Sequence, residues 1–238
     1  MKRKQEGKLY IIPAPIGNNE GEFLAESVKR IVYSLRHFVV EKEKTARRIL
    51  RHIGYTQAFD DTYFTEINKN TRPEKLLPII DIIRQGISVG LMAEAGMPCL
   101  ADPGETLVEL AHQHNITVVP LAGPSAIMLA LVASGLGANG FAFWGYLPVK
   151  PLERRKQLLE LERLSRKYDE AQIFIETPYR NMQLFEEILK ACLDNTLVCI
   201  AREINQPGQF IRTLPVKQWR KTKVSLHKRP TVFILSAR

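Results

Sequence analysis

Residues 110 to 149 include no Asp, Glu, Lys or Arg. An uncharged, largely apolar stretch of that length belongs either in a membrane or in the interior of a folded domain. Pro120, Gly123, Pro124, Gly135, Gly137, Gly140 and Pro148 cut it into pieces. Its longest helical piece, about Ser125 to Ser134, falls well short of the roughly 20 residues that span a bilayer. The expected path is therefore strand, turn, helix, turn, strand through a protein core, with no membrane contact.

The flanking segments keep the same rhythm. "KLYIIPAP" (8–15) reads as a strand running into the turn-rich loop "IGNNEGEF". Residues 22–35 place Phe23, Leu24, Ser27, Ile31 and Leu35 near one helical face. "HFVVE" is a short strand, "KTARRILRHI" a basic helix, and residues 73–85 another amphipathic helix. "ISVGLMAEAG" is an apolar run of the kind covered on both faces. The helix after it should run from Pro103 to about Asn115, with Asp102 as N-cap, Pro103 at N1 and Glu105 at N3. "ITVVPLAG" follows as a strand. Strands and helices alternating at these lengths predict a mostly parallel α/β sheet.

Beyond "GPSA" the pattern changes. "FAFWGYLP", "AQIFIET" and "NTLVCIARE" read as strands, separated by a long charged helix over 151–170 and by the helix "PYRNMQLFEEILKACL". "QFIRTLPV" and "RPTVFILSA" suggest antiparallel pairing. Two α/β lobes are expected, residues 1–120 with a mostly parallel sheet and 121–238 with a mixed one.

Charge narrows the partners. A formal charge of +9 and a pI of about 9.5 favour an anion, nucleic acid first, as strongly as they favour a merely solvated surface. "MKRKQEGK" and "KQWRKTKVSLHKR" (217–229) concentrate the excess. Cys99, Cys192 and Cys199 form no C-x-x-C pair, so neither a disulfide framework nor a zinc site is expected. His112 and His114, two apart, read as surface residues rather than metal ligands. With no signal-peptide pattern ahead of the first prolines, a reducing cytoplasm is the expected compartment.

The candidate chemistry sits in loops. Glu94, Gly96, Met97 and Pro98 lie between a strand end and the next helix, and capping does not explain them. Pro15-Ile16-Gly17, Gly123-Pro124-Ser125-Ala126 and Thr177-Pro178-Tyr179-Arg180 likewise follow strands. In open α/β sheets ligands gather at the carboxyl ends of strands, so these loops predict a composite site. "GLGANG" (135–140) follows a helix and precedes a strand, the reverse of the dinucleotide-binding order.

In order, "LYIIPAPIGN", "AEAGMPCLADPG", "GPSA", "TPYR" and "ARE" span nearly the whole chain and resemble the tetrapyrrole methylase superfamily. They are most similar to its branch that methylates a cytidine 2′-hydroxyl of small-subunit ribosomal RNA. The resemblance implies a two-lobed fold, S-adenosylmethionine in the cleft between the lobes, no metal, and a homodimer. By position it implies donor contacts at Pro15, Ile16, Gly17, Glu94, Gly96, Met97, Pro98, Ser125, Ala126, Thr177, Tyr179 and Ala201. The branch's "EDTRxT" appears here as "EKEKTA" (41–46), keeping Glu41 and placing Lys42 where the second acid stands. The "SDAGTPGISDPG" pattern appears with Glu94 and Met97 at its Asp and Thr. Glu41 is thus the candidate catalytic residue, as acid, base or substrate positioner. Three readings stay open: an RNA methyltransferase, a methyltransferase acting on a tetrapyrrole or other small molecule, and a non-catalytic protein that binds cofactor or RNA.

Overall fold

All four residues of Val89–Met92 are buried, as expected of a strand with both faces covered. They form β4 in a computed structural model that describes residues 6–17, 24–137 and 140–237. Part of the loop predicted after the first strand, Phe23, the first five residues and part of "GLGANG" fall outside the described residues. The chain divides into two compact units, Met1–Ser125 and Ala126–Arg238.

The first unit contains β1 (Lys8–Ile12), α1 (Glu26–Ser34), β2 (His37–Val40), α2 (Glu43–His52), β3 (Tyr63–Glu66), α3 (Leu77–Arg84), β4, α4 (Glu105–Gln113) and β5 (Thr117–Pro120). Its strands lie in the order β3-β2-β4-β1-β5, and every pairing is parallel. Because side chains alternate along a strand, Ile12, Phe38, Val40 and Met92 pack with α1 and α2, while Leu9, Ile11, Val39 and Leu91 pack with α3 and α4. The two helix pairs therefore cover opposite faces. The chain leaves β1 toward one face and the neighbouring β4 toward the other, which makes the crevice at their carboxyl ends a topological switch point.

Three expectations need correction. The buried face of α1 runs through Val28 and Val32, with Ser27 exposed and Ile31 half-buried, one residue round from the predicted stripe. Residues 73–85 begin with a tight 3-10 turn, Pro73–Leu76, before α3. Asp102 does not cap α4. Cys99 and Ala101 take positive φ angles of 66° and 67°, which carries the segment one further turn. The helix then starts at Glu105 from Gly104, whose φ of 131° is glycine territory.

The second unit contains α5 (Ala126–Ser134), β6 (Phe141–Tyr146), α6 (Pro151–Tyr168), β7 (Ala171–Ile175), α7 (Asn181–Ala191), β8 (Leu197–Arg202), β9 (Phe210–Pro215), α8 (Val216–Trp219) and β10 (Thr231–Ser236). The strand order is β6-β7-β10-β8-β9. β6 and β7 are parallel, and β10 runs antiparallel to both β7 and β8. Antiparallel pairing is present for 210–215 and 231–236, each strand taking β8 as partner rather than the other. α6, α7 and α8 pack on one face around Phe174, Phe233 and Trp219, and α5 covers the other. No helix among the described residues is long and apolar enough to cross a membrane.

Candidate functional site

The loops that follow β1, β4 and β5 meet. Ala14 N–H donates to the Gly96 carbonyl at 2.8 Å, and Gly96 N–H donates back to the Ala14 carbonyl at 3.2 Å. A Cβ on Gly123 would sit 2.2 Å from Pro13 Cγ, so the third loop lies hard against the first. Three adjacent parallel strands thus bring the 15–17, 94–98 and 123–125 segments to one edge of this sheet, as the loop pattern predicted.

Gly96 is the centre of this arrangement. Its φ is 68°, and it is buried by its neighbours, yet a Cβ built on it would meet nothing within 4 Å. The loop therefore holds a small open space against bare backbone, where a ligand can approach closely. Pro98 is buried, Pro15, Ile16, Met97 and Ser125 are half-buried, and Gly17 is exposed with φ 72°.

Carboxylates surround that edge. Glu41 follows β2 directly, Glu94 follows β4 by two residues, and Asp102 lies in the segment before α4. Glu94 accepts from Lys42 Nζ at 2.7 Å and from Thr45 Oγ1 at 2.9 Å. The Lys42 contact above all holds its carboxyl below the usual range. Glu41 has a buried carboxylate oxygen, Oε1, with no hydrogen-bond partner. Burial pushes the Glu41 carboxyl up, and the nearby Glu94 charge adds to that rise, while the Glu94 backbone N–H and Lys42 oppose it. Asp102 is pushed up to about 7, first by burial and then by the charges of Glu41 and Glu94. Glu94 therefore stays ionised at neutral pH, while Glu41 and Asp102, both shifted upward, are the two acids of the cluster suited to exchanging a proton.

Two of these partnerships were invisible in the chain order. Lys42 and Thr45 are far in sequence from Glu94 and come to it because β2 and β4 are neighbours. The sequence marks Asp102 as a helix cap, but α4 starts later, from Gly104, and leaves that carboxyl out of the cap. Two of the residues that depart from the branch pattern, Lys42 and Glu94, are each other's ion-pair partners.

In the second unit, the Thr177–Arg180 turn follows β7. It is held from within: the fully buried Glu176 accepts from Thr177 N–H at 2.6 Å and from Arg180 Nη2 at 2.7 Å. Tyr179 is 70% exposed. Its ring meets His227 edge-on at 6.2 Å and has Lys228 Nζ 5.8 Å from its centre. Thr177 and Ala126 are half-buried. Ala201, by contrast, lies inside β8 in register with Val232 and Ile211, is 1% exposed, and offers a ligand no side-chain surface.

Residues 8–219 match the family of tetrapyrrole (corrin/porphyrin) methylases. The chain belongs to this family. Among relatives of this methylase, the ribosomal RNA small subunit methyltransferase I of Vibrio cholerae serotype O1 is 31% identical over 210 residues, covering 88% of this chain and 69% of that protein. Two solved structures share the methylase fold. Diphthine synthase superposes with a TM-score of 0.68 at 11% identity, covering 97% of this chain and 90% of that one. The uroporphyrin-III C-methyl transferase from Thermus thermophilus, complexed with S-adenyl homocysteine, superposes with a TM-score of 0.57 at 17% identity, covering 97% of each chain.

Proposed function

We propose that this methylase transfers a methyl group from S-adenosylmethionine to small-subunit ribosomal RNA, at the 2′-hydroxyl of a cytidine. The observation that carries the reading is the pairing of Ala14 with Gly96 beside Glu41 and Glu94 at the tips of β1, β2 and β4. The ribosomal RNA assignment takes its support from the name of the Vibrio relative and from the formal charge of +9.

When bound, S-adenosylmethionine supplies a methyl carbon made electrophilic by a sulfonium charge. The open space at Gly96 fits a donor held by main-chain groups. In our reading Pro15, Ile16, Gly17, Glu94, Gly96, Met97, Pro98, Ser125 and the adjoining Ala126 hold it through backbone and small side chains. Holding the acceptor hydroxyl in line with the methyl group supplies much of the rate. Glu41 takes the hydroxyl proton on its unpartnered oxygen and becomes neutral, while the ribose oxygen attacks the methyl carbon; loss of the Glu41 charge in turn lets Asp102 give up its own proton more readily. The reaction needs no metal. We place the enzyme in the cytoplasm as a homodimer. The pairing draws support from Val132, Trp144, Tyr146, Val149 and Leu152, large apolar side chains left exposed in the second unit.

The test is to incubate the protein with labelled donor, total RNA and undermethylated small ribosomal subunits. Label in a cytidine ribose is the expected result. Donor binding without label in any RNA would remove the reading and leave a small-molecule methylase or a binding protein.

A further inference from the structure

We infer that the exposed face of α2 is the surface on which the RNA backbone docks, an inference that rests on the RNA reading above. α2 begins beside the candidate site, where Lys42 and Thr45 touch Glu94, and runs away from it along one face of the sheet. Lys44, Arg48 and Arg51 are exposed on α2. Their spacing of four and three residues puts them on one side of the helix, over roughly 10 Å. Lys44 and Arg48 make no salt bridge within 4.0 Å among the described residues, although the Arg48 charge reaches Glu94 and helps to hold its carboxyl down.

The neighbouring arginines are arranged differently. The Arg47 guanidinium lies over the rings of Phe59 and Phe64, at 5.0 and 5.1 Å, and Arg51 lies over Phe59 at 4.9 Å. The aromatic face under the Arg51 guanidinium holds its plane while leaving edge N–H groups free for phosphate oxygens, whereas Arg47 donates its Nε to Glu43 at 2.6 Å. A ridge of positive charge, partly laid on aromatic rings and leading to a cluster of carboxylates, suits a polyanion whose one ribose must reach the acids while its neighbours stay outside. An acidic ligand entering the cluster itself would be repelled by Glu41 and Asp102. The ridge, therefore, carries the electrostatic attraction and the cluster carries the chemistry.

The test compares the wild type with a Lys44→Gln, Arg48→Gln, Arg51→Gln triple variant, using unmethylated small-subunit RNA transcribed in vitro as the binding probe. Each phosphate contact on single-stranded RNA contributes a slope of about 0.7 to the fall of log affinity with log salt, so the variant's slope should be shallower by roughly 2. With undermethylated small subunits as substrate, KM should rise at least tenfold while kcat and calorimetric donor affinity hold. Arg51→Lys keeps the charge, so its salt slope should stay near that of the wild type. A Lys217→Gln, Lys221→Gln, Lys223→Gln variant removes equal charge from the second unit and should change the slope less. Unchanged slope and KM in the α2 variant, in an enzyme that methylates RNA, would overturn the inference and leave the function standing. An equal loss in the second-unit control would also overturn it, because net charge alone would then explain binding. Competition by polyglutamate as strong as by RNA would reassign the ridge to an acidic protein. A wild type that methylates no RNA but still binds it through α2 would sink the proposed function and keep the surface.

Discussion

Asp102 holds its proton up to about pH 7 because burial and the charges of Glu41 and Glu94 oppose its ionisation. In the unfolded chain an Asp ionises near pH 3.9. Between those values the folded protein binds the extra proton, so stability falls as pH rises from about 4 to about 7 and the penalty stays constant above. Asp102→Asn removes that penalty. Its melting temperature should equal that of the wild type below about pH 4, rise above it through the window and level off, as thermal denaturation across pH will show; parallel curves would mean that Asp102 ionises normally. Glu41→Gln addresses the chemistry. It should lower turnover by about two orders of magnitude, the usual size of a lost general base, while calorimetric donor affinity holds. The apparent pKa of Asp102 should also fall, since one of the charges that raise it is gone.

At the scale of elements, the strand-tip loops were legible because their signals are local. Pro15–Gly17, Gly96–Pro98 and Gly123–Ser125 each follow an apolar run, and proline and glycine mark the places where the backbone turns. β3 was not foreseen: it is a four-residue edge strand with only Phe64 partly covered, so it lacks the apolar alternation that identifies a strand. The start of α4 was misread for a different reason. Asp102-Pro103 is a strong local signal, but positive φ at Cys99 and Ala101 moves the helix start past it. The Lys42–Glu94 pair could not be read at all, because it depends on β2 and β4 lying side by side. Gly96→Val tests the loop as a unit. A β-branched residue at positive φ costs on the order of 1–2 kcal/mol, and its side chain fills the open space beside the backbone. Donor affinity should drop below calorimetric detection while the fold survives with a lower melting temperature; unchanged affinity would make the loop a plain connector.

For the whole molecule, the alternation of strands and helices anticipated two α/β sheets, one parallel and one mixed, and the strand orders bear this out. What patterning could not supply was strand order, since sequence neighbours such as β1 and β2 are separated in the sheet by β4. Exposed Val132, Trp144, Tyr146, Val149 and Leu152 make association the expected behaviour. Sedimentation should show a species of twice the 27.1 kDa chain mass, and Trp144→Lys should shift it toward the single chain; a wild type that sediments as one chain at micromolar concentration would remove the dimer.

The segment between β4 and α4 also carries a built-in reporter. Cys192 and Cys199 are buried, so Cys99 alone among the cysteines reaches solvent. Burial, with Glu105 and Asp102 behind it, pushes its thiol up to about 11. At neutral pH such a group stays protonated and sluggish toward maleimides and peroxide. Any motion that lifts it away from those carboxylates quickens its alkylation, which turns a slow-reacting sulfur into a clock for the opening of this loop.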